Sequence, residues 1–224
     1  KGKFILRFED TNPEQAKKEF YEAQTEGYKW LNVAWDKLIY ISDTLELMYK
    51  KCEELVKKGN LYACTCSLEK IRENRNKGKE CNCRKNANKD NLKQWKEMLQ
   101  GKAKEGSAVI RYKGNMKEMN TTLRDPIMFR IMNKEHTRQK KKYRVWPNYD
   151  FAAAFSDGYE KVTHRVRSKE FELRSDLQKT LQRAMGFKET HIIEQARFNL
   201  EGVEASKRKI RELILKNELS GWDD

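Results

Sequence analysis

Proline and glycine are scarce in this chain of 224 residues. Three Pro and eleven Gly exclude a collagen-like helix and proline-rich linkers. No apolar run approaches the roughly 18 residues that a membrane span needs. No signal-peptide pattern opens the chain, so secretion is unsupported. Histidine is confined to His136, His164 and His191, far apart, and nothing points to a Ser-His-Asp triad. The phosphate-loop pattern Gly-x-x-x-x-Gly-Lys-Ser/Thr is missing, and so is Gly-x-Gly-x-x-Gly. Aromatic residues, by contrast, are plentiful. Five Trp, nine Tyr and nine Phe argue against disorder. The length suits one large domain or two small ones at roughly 150 residues each.

Positive charge is in surplus. Lys and Arg number 48 against 34 Asp and Glu, a net +14. A field of that sign attracts phosphate backbones and anionic surfaces. The acidic residues interleave with the basic ones, which describes a folded surface and not a polybasic tail. Of the five Cys, four fall in one window as Cys64-Thr-Cys66 and Cys81-Asn-Cys83. Without a secretory signal a disulfide framework has no support. Two thiolate pairs brought together across a loop suit tetrahedral zinc. The spacing departs from the Cys-x-x-Cys knuckle, and the plainer reading is a strand residue, Cys64, with reduced thiols. Cys52 falls on an apolar helix face and reads as core.

Phe4 to Phe8 reads as a short strand. Thr11-Asn12-Pro13-Glu14 then carries helix-start chemistry, with Ala16, Phe20, Ala23, Gly27 and Trp30 at helical spacing. A second helix bears Leu45, Met48, Tyr49, Cys52, Leu55 and Val56 on one face, capped by Ser42 or Asp43 and stopped by Gly59. Leu61 to Cys64 reads as a strand. The order strand, helix, helix, strand suits a parallel sheet covered by helices. From Thr65 to Lys142 the character changes. A helix around Leu92, Trp95 and Leu99 is followed by short strands at Ala108–Tyr112, Ile127–Met132 and Tyr143–Trp146. Lys140 to Lys142 reads as a hairpin tip within an inserted α+β subdomain. After Pro147 the α/β pattern returns. A helix starts at Asn148, a strand spans Lys161–Val166, and a helix ends near Gly186. A strand opens at Ile192, then a basic loop and a final helix close the chain.

Chemistry-bearing residues are few. Arg7, Glu9 and Asp10 follow the first strand, and open α/β sheets bind ligands beyond the carboxyl ends of their strands. The plain reading of Asp10 is a cap for the helix that follows. Ser206-Lys207-Arg208-Lys209 packs cations around a hydroxyl, an arrangement that stabilises charge developing on a polyphosphate. Its plain reading is a solvated loop.

Seven motifs occur in order: Phe8-Glu9-Asp10-Thr11-Asn12-Pro13, Leu123-Arg124-Asp125-Pro126, Tyr149-Asp150-Phe151-Ala152, Val162-Thr163-His164, Arg197-Phe198-Asn199-Leu200, Ser206-Lys207-Arg208-Lys209 and Gly221-Trp222-Asp223-Asp224. Together they resemble the catalytic region of glutamyl-tRNA synthetases of the archaeal/eukaryotic type, and of the related glutaminyl enzymes, over nearly the whole chain. The resemblance implies a class I, Rossmann-type parallel sheet split by an inserted α+β subdomain that binds the acceptor stem. The corresponding segments are 1–63 and 147–203 for the catalytic domain, 64–146 for the insertion, and 204–224 for the basic loop and the start of a connecting helical region. ATP, with Mg2+, and glutamate would give glutamyl-adenylate, and the glutamyl group would pass to the 3′ end of tRNA(Glu).

By the same resemblance, Glu9 receives the substrate ammonium, Tyr149 faces the amino acid, and Arg167 pairs its side-chain carboxylate. That pairing is physically apt, because a guanidinium grips a carboxylate in bidentate fashion. Arg165 is the alternative holder. Ser168, Arg197, Phe198, Ala205, Ser206 and Lys207 would contact ATP, Lys207 at its phosphates as the catalytic cation. Cys64, Cys66, Cys81 and Cys83 would hold a structural zinc. Arg111, Arg124, Arg130 and Lys140 to Lys142 would face the acceptor stem. A cytoplasmic monomer is implied, with no membrane association. Two departures stand out. The His-Ile-Gly-His-type ATP signature, expected ahead of the first strand, has no room here, and Ala205 stands where Met or Leu is usual. A fragment, inactive by itself, is the expectation. A glutaminyl enzyme and a noncatalytic tRNA-binding relative are the alternatives.

Overall fold

The computed structural model describes residues 2–196 and 206–220. Strand β1 (Ile5–Phe8) buries Leu6 and Phe8 and leaves Ile5 and Arg7 half-buried, the alternation of a strand. Helix α1 (Lys18–Trp30) follows, and then β2 (Lys37–Tyr40), which pairs in parallel with β1. The helix begins five residues after Pro13 because the Asn12 carbonyl accepts the N–H groups of Gln15 and Ala16 and closes a turn there. Strand β2 is absent from the sequence reading. Its four residues run straight into the 3-10 turn Ile41–Thr44, so no polar break sets them apart from the next helix.

Helix α2 (Leu45–Lys57) buries Leu45, Met48, Cys52, Leu55 and Val56, one face at helical spacing. It ends before Gly59, whose φ of 77° only glycine adopts freely. Strand β3 (Leu61–Cys64) follows, then α3 (Leu68–Asn76), where the Ser67 hydroxyl accepts from the Lys70 N–H as an N-cap. Helix α4 (Asn88–Leu99) leads to strands β4 (Val109–Tyr112), β5 (Ile127–Ile131) and β6 (Val145–Pro147). Strands β3, β4, β5 and β6 form one antiparallel sheet in that order. This corrects the assignment of Leu61 to Cys64 to a parallel sheet. Leu61 stands opposite Tyr112 and Cys64 opposite Val109, so the antiparallel layer starts at residue 61 and runs across the 63/64 boundary. All four β3 residues are buried, and a uniformly apolar strand carries no sign of its neighbour's direction.

Helix α5 (Tyr149–Tyr159) opens the last part. Strand β7 (His164–Ser168), helix α6 (Ser175–Met185) and strand β8 (His191–Gln195) follow, with β7 and β8 parallel and Arg167 opposite Glu194. Helix α7 (Lys207–Leu215) is the last described element. The molecule is thus α/β, two parallel strand pairs flanking an antiparallel sheet in sequence. Among the described residues no helix is long and apolar enough to cross a membrane.

Strand β3 divides two cores. Leu61 and Ala63 face the larger one, with α2, α4, α5 and α6. Tyr62 and Cys64 face a smaller cluster with Ile71, Cys81 and Val109. Phe129 of β5 sits at the centre of the larger core, its ring 5.1 Å from Trp95 and 4.6 Å from Phe151, tilted edge-on to both. Phe129→Ala is expected to cost about 3–5 kcal/mol, read from the midpoint of urea unfolding. A loss below about 1 kcal/mol would show that the three layers do not meet at this ring.

Candidate functional site

The carboxyl end of β1 is joined to strand β7 by charge. Arg7 of β1 donates to Glu9 at 2.7 Å and to Asp157 of α5. Asp157, 1% exposed, also meets Arg165 of β7 at 2.7 Å. Burial alone would lower the Arg7 pKa, but the carboxylates of Glu9 and Asp157 outweigh it and push it up. Arg165 goes the other way, because its burial outweighs Asp157.

The network continues from Arg165. Strand alternation puts Arg165 and Arg167 on one face of β7, and both donate to the Gln178 amide oxygen, Arg167 at 3.0 Å. Arg167 also donates to the Phe171 carbonyl at 2.8 Å, to the Ser175 hydroxyl, and to Glu194 at 3.2 Å. Its side chain is 7% exposed, so the guanidinium is turned into the protein. Ser175 donates to Glu194 at 2.6 Å, and with Arg167 this holds the Glu194 carboxyl below its usual range. Gln178 donates to Asp150 at 3.0 Å, and Arg174 donates to the same carboxylate at 2.6 Å. Burial raises the Asp150 pKa although both donors oppose it. The Arg174 guanidinium lies 5.7 Å from the Tyr149 ring centroid, and the Phe171 ring packs against the same ring at 5.2 Å. Glu9, Tyr149 and Arg167 therefore belong to one connected network. Four arginines (7, 165, 167, 174) face four carboxylates (Glu9, Asp150, Asp157, Glu194).

Asp157, Arg174, Ser175, Gln178 and Glu194 are the members that sequence reasoning missed. One signal was available, since Asp150 and Asp157 are two carboxylates seven residues apart in an otherwise apolar helix. Asp10 does not cap the helix that follows it. Its carboxylate accepts from the Ser42 N–H at 2.8 Å and the Ser42 hydroxyl at 2.7 Å, at the turn leading into α2. Beside it, a cleft of about 340 Å³ is lined by Glu9, Asn12, Gln15 and Tyr21 among others.

Ser168 ends β7, half-buried opposite Gln195. Ser206 and Lys207 begin α7, so the basic stretch read as a loop is the first turn of a helix, with Ser206 at its N-cap. Arg197, Phe198, Ala205 and the Gly221 to Asp224 motif lie outside the described residues. The hairpin expected near Lys140 is present as a His136–Lys140 bridge. Three arginines expected at an RNA surface are turned inward. Arg111 is 1% exposed and donates to the Asp125 carbonyl. Arg124 donates to the carbonyls of Glu118 and Arg75. Arg130 donates to Asn148, the residue before Tyr149. Each sits where its charge can be met by carbonyls or amides, which a sequence does not reveal.

The four cysteines do converge. Cys64 at the end of β3 is 3.8 Å from Cys81, and Cys66 is 3.9 Å from Cys83, sulfur to sulfur. All four sulfurs lie within 4.8 Å of one another. A tetrahedral ion with zinc–sulfur bonds of about 2.3 Å sets its sulfurs roughly 3.8 Å apart, so the donor set fits. Burial pushes the Cys64 and Cys66 thiols up. Burial acts upward on Cys83 too, but hydrogen bonds from Thr65 and from Cys66 and Cys64 hold it below the usual range. The Arg111 guanidinium, 3.8 Å from Cys64 and 3.7 Å from Cys81, adds positive charge beside the sulfurs.

Comparison with known proteins agrees with this architecture. Residues 1–224 match the family described as tRNA synthetases class I (E and Q), catalytic domain, and the chain belongs to that family. It is 41% identical to a glutamate–tRNA ligase of Korarchaeum cryptofilum, over all of this chain and 41% of that protein. It is 42% identical to the glutamate–tRNA ligase of Pyrococcus abyssi, over all of this chain and 40% of that one. The chain thus spans about two-fifths of the length of the curated relatives it matches. Among solved structures, a glutamate tRNA ligase from Elizabethkingia meningosepticum, in complex with its amino acid, superposes with a TM-score of 0.65 at 20% identity. The match covers 94% of this chain and 46% of that one, and shows the shared fold.

The depressed Glu194 carboxyl gives a signed pH effect. Its ionised form stabilises the fold above the pKa of an unfolded glutamate, and that contribution is lost as pH falls through the lower folded value. Wild type is therefore expected to exceed Glu194→Gln in stability near neutrality, with the gap closing in acid. Urea titrations at several pH values check this, and a gap that widened below the carboxylate range would contradict it.

Proposed function

We propose that this chain is the catalytic region of a glutamate–tRNA ligase. The observation that carries the reading is the network of ion pairs and hydrogen bonds that joins Glu9 to Arg167 between β1 and β7, with the Tyr149 ring packed beside its Arg174. In this reading the Glu9 carboxylate takes the substrate ammonium, Tyr149 walls the amino acid, and Arg167 pairs its side-chain carboxylate. A glutamate oxygen attacks the α-phosphorus of ATP and pyrophosphate leaves. The terminal ribose hydroxyl of tRNA(Glu) then attacks the acyl carbon and AMP leaves. Ser168, Arg197, Phe198, Ala205, Ser206 and Lys207 form the ATP side, where the Lys207 charge would steady the phosphates. Mg2+ enters with ATP, and no residue of this chain is assigned to it.

Residues 61–147 form the inserted subdomain, and 1–60 with 148–196 the flanking catalytic parts. The RNA partner is met by exposed lysines. These are Lys140 and Lys141 of the hairpin, with Lys89, Lys93 and Lys96 on α4, in place of the inward arginines. Phosphate contacts of this kind position an RNA without reading its sequence. The protein works as a monomer in the cytoplasm.

Arg167 decides the amino acid. A neutral amide would leave that guanidinium with less to grip, so glutamate is favoured over glutamine. Arg167→Gln in the intact protein is expected to raise the KM for glutamate roughly 10- to 100-fold, the worth of one charged hydrogen-bonded pair, with the KM for ATP nearly unchanged. Steady-state aminoacylation measures both. An unaltered glutamate KM, or a wild type that prefers glutamine, would sink the assignment.

The four thiolates would hold zinc as a closed, structural site with no position left for water. Metal analysis of purified protein is expected to find about one zinc per chain, and chelation to lower the melting temperature. A metal-free sample melting at the same temperature as the zinc-loaded one would remove this reading.

A further inference from the structure

The segment between β5 and β6 is a strap laid across the ends of β1 and β2. His136 is its anchor, 0% exposed, with its ring stacked on Trp146 at 5.0 Å and 26°. The His136 Nδ1 accepts the backbone N–H groups of Arg138 and Gln139, both at 3.1 Å. That nitrogen must carry a lone pair, so the ring proton is on Nε2. Nε2 lies 2.8 Å from the Asp10 backbone carbonyl, 126 residues away in sequence, and donates to it. The nearest Asp10 carboxylate oxygen is 3.8 Å away, beyond hydrogen-bond reach. The carboxylate is already engaged by Ser42 and by the Tyr21 hydroxyl at 3.1 Å.

The rest of the strap reinforces the anchor. The Thr137 hydroxyl donates to the Ala16 carbonyl. Arg138 donates to Asp43 at 2.7 Å with its guanidinium 3.6 Å from the Tyr40 ring centroid, and Gln139 donates to Asp43 at 2.6 Å. Asp10 is thus fixed through both main chain and side chain, and Glu9 is the residue just before it.

We propose that His136 is a positioning residue. Its Nε2–H fixes the main chain at Asp10 so that the Glu9 carboxylate is presented in one orientation to the amino-acid ammonium. The proposal rests on the role given to Glu9 above. It assigns to an inserted hairpin a part in binding the amino acid.

Two substitutions separate this from a scaffold role. His136→Gln keeps a donor that can reach the Asp10 carbonyl. His136→Asn keeps an acceptor for the hairpin N–H groups, as in an Asx turn, and cannot reach Asp10. In the intact protein, His136→Asn is expected to raise the KM for glutamate roughly five- to tenfold, about one hydrogen bond's worth, with kcat and the KM for ATP moving far less. His136→Gln is expected to restore the glutamate KM. The opposite order, Asn normal and Gln impaired, would overturn the proposal, as would two variants that match wild type. Deuterium uptake of the peptide spanning residues 9–16 gives a readout without turnover. It should rise in His136→Asn and not in His136→Gln, and equal uptake in both would overturn the proposal. Should either variant fail to fold, the ¹⁵N shifts of His136 in wild type decide, and a proton found on Nδ1 refutes it. A wild type that charges no glutamate would count against the proposed function, while the exchange and ¹⁵N results would still judge the strap.

Discussion

Asp157 ties strand β1 to strand β7 by charge. One buried carboxylate, on a helix rich in alanine and phenylalanine, accepts from Arg7 of β1 and forms an ion pair with Arg165 of β7. The strands that bear these arginines are more than 150 residues apart and do not pair with each other. A carboxylate taken out of water is tolerated only when its charge is met on both sides, and removing either partner leaves an expensive orphan. The same geometry fixes the direction of Glu9 through Arg7 and of Arg167 through Gln178.

Charge inside that network is balanced, so the whole positive surplus of the chain lies outside it. Fixed, paired charges inside give orientation without a strong field that would hold any anion. The lysines on α4 and on the hairpin are exposed, where salt screens their field.

Much of the fold was legible in the sequence because the helices are strongly periodic and the strands short and apolar. Leu45 to Val56 shows one face at helical spacing, and that face is the buried one. Strand β2 was not legible, because Lys37 to Tyr40 has neither alternation nor a boundary before the turn that follows. The partner of Leu61 to Cys64 was hidden for the same reason, as an all-buried strand looks alike in either kind of sheet. In the candidate site, Glu9 and the cysteine quartet could be marked from residue type and position, and Tyr149 and Arg167 through the family resemblance. Asp157, Arg174, Ser175, Gln178 and Glu194 could not, because their roles come from contacts between α5, α6, the turn before α6, and β8 that no local pattern encodes. The inward turn of Arg111 was hidden too, since an arginine on a strand of a basic protein reads first as a surface cation.

Strand β3 is four residues long and serves two interiors. Leu61 and Ala63 touch the aromatic layer, while Tyr62 and Cys64 touch the sulfur cluster. Neither interior can loosen without moving the backbone that the other is packed on. Melting of the cysteine lobe and melting of the helical core are therefore bound into one cooperative event, and this short strand is the hinge of that cooperativity.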